Sequence, residues 1–186
     1  MGLWIVVIVI VLIALYLVMI YNRLVSLRQV TGQAWSDISV QLKQRHDLVP
    51  NLVETVQGYA AHERGTLEAV TQARNAAVSA ASPEAQAKAE NMLTGALRQL
   101  FAVAEAYPDL KANQNFLQLQ SDLSDIENKI AASRRFFNNA VQEYNTSIQT
   151  FPAVFFAGAL GFAPRTFFEV DESERAAVEA APQVKF

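Results

Sequence analysis

From residue 24 onward the apolar positions of the chain step by three and four, the spacing of one helical face. Thr31, Trp35, Ile38, Leu42, Arg45, Val49, Leu52, Val56 and Tyr59 form one seam that passes Pro50 without losing phase. A new helix would reset the phase, so the spacing predicts one long helix over residues 22–60, kinked, if anywhere, at Pro50. Gly58 and His62 mark its end. A second helix is predicted over 63–80, with Leu67, Val70, Ala73, Ala77 and Val78 as its stripe. Ser82-Pro83-Glu84 is a helix start, with Ser at the N-cap, Pro in the first turn and an acid beside it. The third helix then runs to about Ala106 on Met92, Leu93, Ala96, Leu100 and Val103, and Tyr107-Pro108-Asp109 stops it.

The fourth helix has the clearest pattern. Phe116, Leu123, Ile130, Phe137, Tyr144 and Phe151 recur every seven residues, and Leu119, Ile126, Ser133, Ala140 and Ser147 fill the second seam. A heptad repeat this long means packing against long partners. With short connections, the pattern predicts an all-α fold, an antiparallel up-and-down four-helix bundle over residues 23–150. If the second and third helices were one continuous rod, a three-bar arrangement would replace it; the break from Ala80 to Pro83 argues against that.

Residues 3–20, LWIVVIVIVLIALYLVMI, carry no charge. As a helix of ~1.5 Å rise they extend roughly 27 Å, near the hydrocarbon thickness of a bilayer. A cleaved signal peptide fits poorly, because no Lys or Arg precedes the run, the run is too long, and no small-x-small site follows. Residues 1–22 therefore read as a transmembrane anchor that continues into the bundle. Arg23 and Arg28 follow the span, so the positive-inside bias puts the N-terminus outside and the body in the cytoplasm. The first helix leaves the membrane and the fourth returns to it. Residues 151–168 are then expected beside the bilayer.

That segment, FPAVFFAGALGFAPRTFF, has no charge before Arg165. Traced as a helix over 151–163 it has no polar side, so it is expected to be buried all round. Phe151, Phe155, Phe156, Leu160, Phe162, Arg165, Phe167 and Phe168 are the candidate assembly or membrane contacts, with Arg165 reaching lipid phosphates. The cover is one of three things: the chain's own bundle end, the anchor of the same or a sister subunit, or another membrane protein. Residues 169–186 read as a flexible acidic tail whose terminal Phe186 is a candidate docking residue.

The formal charge of −3 without a basic run excludes nucleic acid as the main partner. With no Cys, disulfides and thiolate metal sites are excluded. His46 and His62 lie in RHD and AHE, match no metal-ligand spacing, and read as exposed or capping residues. Asp37, Asp47, Glu54 and Glu63 form no acid/base couple, and Asp122, Asp125 and Glu127 read as a solvated face. Arg45 on the apolar seam is expected to snorkel or to pair across the bundle. No cofactor is implied, and enzyme chemistry is not expected. Asn113 and Gln114 begin a polar patch at the membrane-distal end, either a plain polar face or a partner-docking surface.

Residues 21–63, YNRLVSLRQVTGQAWSDISVQLKQRHDLVPNLVETVQGYAAHE, resemble the start of LemA family proteins. So do TQARNAA (71–77), YPDLKANQNFLQLQSDLSDIENKIAASRRFFNNAVQEYN (107–145), FPAVFFAGALGFAPRTFFE (151–169) and the terminal PQVKF. The resemblance implies a bacterial, membrane-anchored helical-bundle protein and brings no catalytic residues with it. The resulting expectation is a single-pass inner-membrane scaffold or adaptor whose partners are membrane lipid, further copies of itself and an unidentified membrane protein. The competing classes are an accessory subunit of a membrane enzyme complex and a lipid-organising protein.

Overall fold

A computed structural model describes residues 2–169. Its helices are α1 (Gly2–Gln57), α2 (Arg64–Ser79), α3 (Pro83–Ala104), the single turn α4 (Pro108–Lys111) and α5 (Gln114–Gln149), followed by a 3-10 turn over Ala153–Phe155. Among the described residues there is no strand. The apolar N-terminus and the body's first helix are one uninterrupted helix of 56 residues.

Pro50 lies inside α1, and its ring nitrogen has no hydrogen to give the carbonyl of His46 one turn back. Arg74 of α2 supplies the missing donor: its Nε donates to the His46 carbonyl oxygen at 3.2 Å. Val49 and Leu52, on either side of the proline, are fully buried. A replacement donor and packing on both sides let the helix pass its own breaker.

The connections follow local chemistry. Ser82 accepts from the Ala85 backbone N–H, and Pro83 opens α3. The Gln86 side chain donates to the Ala77 carbonyl at the end of α2, which also accepts the Ala80 N–H. Asn113 Oδ1 accepts from the Phe116 N–H and caps α5, while its Nδ2 donates to the Tyr59 hydroxyl. The α4 turn, unforeseen in the pattern, forms because Pro108 suits a first helical turn and Leu110 is fully buried.

The chain divides into two compact units. One comprises Ile38–Arg134 and the described chain from Phe167, and its core draws Val49, Leu52 and Val56 from α1, Leu67 and Val70 from α2, Leu93, Leu97 and Leu100 from α3, and Phe116 and Leu123 from α5. The other combines α1 up to Asp37 with Arg135–Thr166. Its core is Leu24, Tyr144, Ile148, Ala153, Ala157 and Phe162. In that unit Trp35 meets Phe137, Arg23 meets Glu143, and Ile20 packs with the cluster that holds Ala153. The pairings fall along α1 as they rise along α5, so the two helices are antiparallel there.

Several predicted details differ. Tyr59 is exposed, and Ala60 takes the last buried place of the seam. The buried face of α3 is rotated by about one residue: Met92 is exposed, while Leu93, Leu97, Leu100 and Ala104 are buried. Near the end of α5 the second seam passes from Ala140 to Val141 and Ile148, because a 3.6-residue helix drifts against a heptad. The fourth helix stops at Gln149 rather than running through Phe151, and 151–163 is a chain of turns rather than a helix. Pro152 accounts for the stop, since it offers no backbone donor.

Candidate functional site

Residues 3–19 of α1 are exposed without exception, on every side of the helix. This is one helix long and apolar enough to cross a membrane. Just past it, the segment after α5 folds back onto the same unit. Phe162 is buried edge-on against Tyr21, with the Arg28 guanidinium 5.2 Å from its ring centre. Gly161 makes the approach possible with φ of 78°, a conformation that favours glycine.

Polar ties hold the fold-back in place. Tyr144 Oη donates to the Ala163 carbonyl at 3.1 Å. Asn145 grips the Arg165 backbone twice, donating to its carbonyl and accepting from its N–H, each at 2.8 Å. The Arg165 guanidinium donates to Thr31 Oγ1, a buried hydroxyl, and stands 5.8 Å from the Tyr144 ring centre. Arg165 is thus turned inward to α1, away from the lipid-phosphate role expected of it, because a buried Thr31 hydroxyl and an aromatic face are within its reach.

The segment is not buried all round. Phe162 and Phe168 are buried and Phe156 is half-buried. Phe151 and Phe155 are 80% and 79% exposed and meet edge to face at 5.8 Å; Leu160 and Phe167 are also exposed. The turns explain the difference, since they split the side chains into an inward set, Ala153, Ala157 and Phe162, and an outward set. Phe186 lies outside the described residues.

Between α1 and the end of α5 lies a groove of about 600 Å³. Tyr16, Ile20 and Leu24 form its α1 wall together with Arg23; Asn139, Gln142, Glu143, Thr146 and Ser147 form its α5 wall; Thr150, Phe151, Pro152 and Ala153 close it. The α5 residues recur at three and four, so one polar stripe of that helix faces the cavity.

The Ile38–Arg134 unit holds a buried charged cluster that no spacing rule revealed. Arg45 is 3% exposed, with Nη1 3.1 Å from Glu127 and 3.5 Å from Glu90, and Nη2 donating to Thr94 Oγ1 at 2.7 Å. Glu90 Oε1 lies 2.6 Å from His46 Nε2 and accepts from Gln86 Nε2 at 2.7 Å. Glu90 Oε2 has no hydrogen bond; its neighbour is the Arg45 charge. Arg45 therefore pairs across the core, one of the two behaviours expected of it. His46 is buried and bonded to a carboxylate, not exposed or capping, because α3 sets Glu90 against it. The readable signal was Gln86 and Glu90, polar residues four apart on the face of α3 that carries Leu93, Leu97 and Leu100.

Among the described residues outside this cluster, no charged side chain is fully buried. The Lys43 ammonium, hydrogen-bonded to Asp47, holds that carboxyl below its usual range. Asn113 of the expected docking patch is engaged as the α5 cap, whereas Gln114 is exposed. Among the described residues no group of His, Asp or Glu is arranged to hold a metal ion.

The LemA family pattern matches residues 34–186. The chain is similar to Protein LemA of Metamycoplasma hominis, 30% identical over 164 residues that cover 86% of this chain and 74% of that protein. It is also similar to Magnetosome protein MamQ 2 of Paramagnetospirillum magneticum, 26% identical over 179 residues covering 82% of this chain and 66% of the relative. Magnetosome protein MamQ of Magnetospirillum gryphiswaldense is 26% identical over 178 residues covering 82% and 65%. The chain spans slightly less than two thirds of each magnetosome protein. The family pattern covers most of the chain and runs through both the charged cluster and the fold-back, so this protein belongs to the LemA family.

Proposed function

We propose that the chain is a single-pass membrane scaffold. Residues 3–20 span a bacterial inner membrane, and the helices after them pack as an antiparallel up-and-down four-helix bundle in the cytoplasm that presents its surface to protein partners. The carrying observation is the contrast in exposure along one continuous helix: every residue from 3 to 19 is exposed, whereas from Leu24 onward α1 buries a stripe in protein cores. A surface apolar on all sides has a stable environment in hydrocarbon. Self-association of the anchored chains belongs to this reading, and catalysis does not, since the buried cluster pairs its charges with one another.

The absence of Cys makes the test clean. Gly2→Cys and Ala61→Cys are each treated with a membrane-impermeant maleimide. The expected result is labelling of Gly2→Cys in intact cells and of Ala61→Cys only after permeabilisation. The reverse pattern refutes the orientation, and labelling of both in a soluble fraction refutes the anchor. Native mass spectrometry in nanodiscs is expected to show more than one subunit; single subunits at every protein concentration refute the self-association.

A further inference from the structure

The α1 wall of the groove changes polarity along its length, while the opposite wall stays polar. At one end Arg23 and Glu143 stand 3.9 Å apart, with side chains 71% and 60% exposed. Thr146 follows along α5 and Thr150 just past its end, and Tyr16, Ile20 and Phe151 form the other end. At ~1.5 Å per residue, Arg23 lies roughly 4.5 Å beyond Ile20 and about 10 Å beyond Tyr16 along α1. Headgroups grade into hydrocarbon in the same direction, and a Tyr at the end of a span suits that boundary.

The charged end matches a particular chemistry. A cation and an anion that face one cavity, too far apart for a hydrogen bond, keep donor and acceptor capacity for a ligand carrying both signs. An exposed pair of this kind contributes little by itself, so a ligand separates it at small cost. The apolar end offers Phe151 and, beside it, Phe155, two nearly unshielded rings with no protein cover within the unit. The volume falls in the range of about 300–1,000 Å³ typical of small-molecule sites.

We propose that this groove seats one zwitterionic phospholipid of the leaflet that the span enters. Its phosphate sits on Arg23, its ammonium on Glu143, and one acyl chain lies along Tyr16, Ile20 and Phe151, with Phe155 inserted among the neighbouring chains. The proposal rests on the reading of residues 3–20 as a membrane span. The bilayer is the occupant because the wall that Tyr16 and Ile20 form is continuous with that span.

The full-length chain is reconstituted into nanodiscs containing equal phosphatidylethanolamine and phosphatidylglycerol, extracted into mild detergent, and weighed by native mass spectrometry. The expected result is one phosphatidylethanolamine retained per subunit. Glu143→Gln is expected to lower retention of phosphatidylethanolamine about tenfold relative to phosphatidylglycerol, the loss of one charge-assisted bond, and Arg23→Gln to lower retention of both. Both side chains are exposed, and unchanged circular dichroism verifies that the variants fold. No retained lipid overturns the proposal, as does equal retention of the two lipids unaffected by either variant. Lipid-free dimers in which Phe155→Cys crosslinks to itself overturn it in favour of a second copy in the groove. Flotation with liposomes separates the two readings: a chain that floats but retains no lipid loses the seat alone, and a chain that does not float loses the span as well.

Discussion

Replacing Glu90 with Gln keeps the shape of the side chain and removes the anion that faces Arg45 and His46. Arg45 is 3% exposed, so its charge is left in a low-dielectric core with one counterion, Glu127, half of whose side chain is in water. Breaking a buried ion pair by removing one partner costs about 3–5 kcal/mol, chiefly the desolvation of the remaining charge. Glu127 still lies 3.1 Å from Arg45, which places the expected loss at the low end, about 3 kcal/mol. For a chain of this size that corresponds to a melting point lower by roughly 6–12 °C. Thermal unfolding of the full chain in mild detergent, followed by far-ultraviolet circular dichroism, reads it directly. Glu127→Gln serves as the comparison and is expected to cost under about 1 kcal/mol, because that carboxylate is half-solvated. Replacing both partners, Arg45→Met with Glu90→Leu, is expected to recover much of the loss, since no uncompensated charge is left behind. A Glu90→Gln variant no less stable than Glu127→Gln would falsify the account, and so would a double variant as unstable as the single one.

Arg74→Met leaves the His46 carbonyl without a donor beside Pro50 and is expected to cost about 1–3 kcal/mol in denaturant unfolding; a change within error would mean that water satisfies that oxygen equally well. Asn145→Ala removes both ties to the Arg165 backbone and is expected to raise amide hydrogen exchange over 151–166 while the Ile38–Arg134 unit keeps its protection; uniform exchange throughout would refute a local role. Ser82→Ala is expected to cost about 1 kcal/mol through loss of the α3 cap, read from the denaturation midpoint. The Tyr107 hydroxyl donates to Glu63, which raises its pKa above the ordinary 10.0. The folded chain therefore holds that proton more tightly than the unfolded chain: the stabilisation is present below the ordinary value and is lost as pH rises through the raised one. Tyr107→Phe is expected to flatten this alkaline limb of the stability curve, and an unchanged limb would assign it to other groups.

Much of the architecture was legible along the chain because the signals are local. Apolar length marks a helix able to cross a membrane, three-and-four spacing marks α1, α2 and α5, and Ser82-Pro83 marks the start of α3. Each depends on residues within a turn or two of one another. Phase continuity through Pro50 was also visible, but its cause was not: the donor that replaces the missing N–H comes from Arg74, in another helix. The LemA resemblance extended over both the charged cluster and the fold-back without assigning a role to either.

What escaped the one-dimensional pattern are relations between residues far apart in sequence. Arg45 on an apolar seam and Glu90 on an apolar face each look anomalous by themselves, and His46 looks exposed. They become one neutralised cluster only when α3 is laid against α1. The Phe-rich segment shows the same limit. Composition marked the segment as apolar, but the tertiary turns decided which of its side chains are buried in the protein. Phe162 goes inward against Tyr21 and Arg28, and Arg165 is drawn to Thr31, while Phe151 and Phe155 are left outside. Hydrophobicity is a property of each residue and is carried by the sequence. Whether a hydrophobic or charged side chain finds its partner in protein depends on distances across the fold, which exist only once the helices have packed.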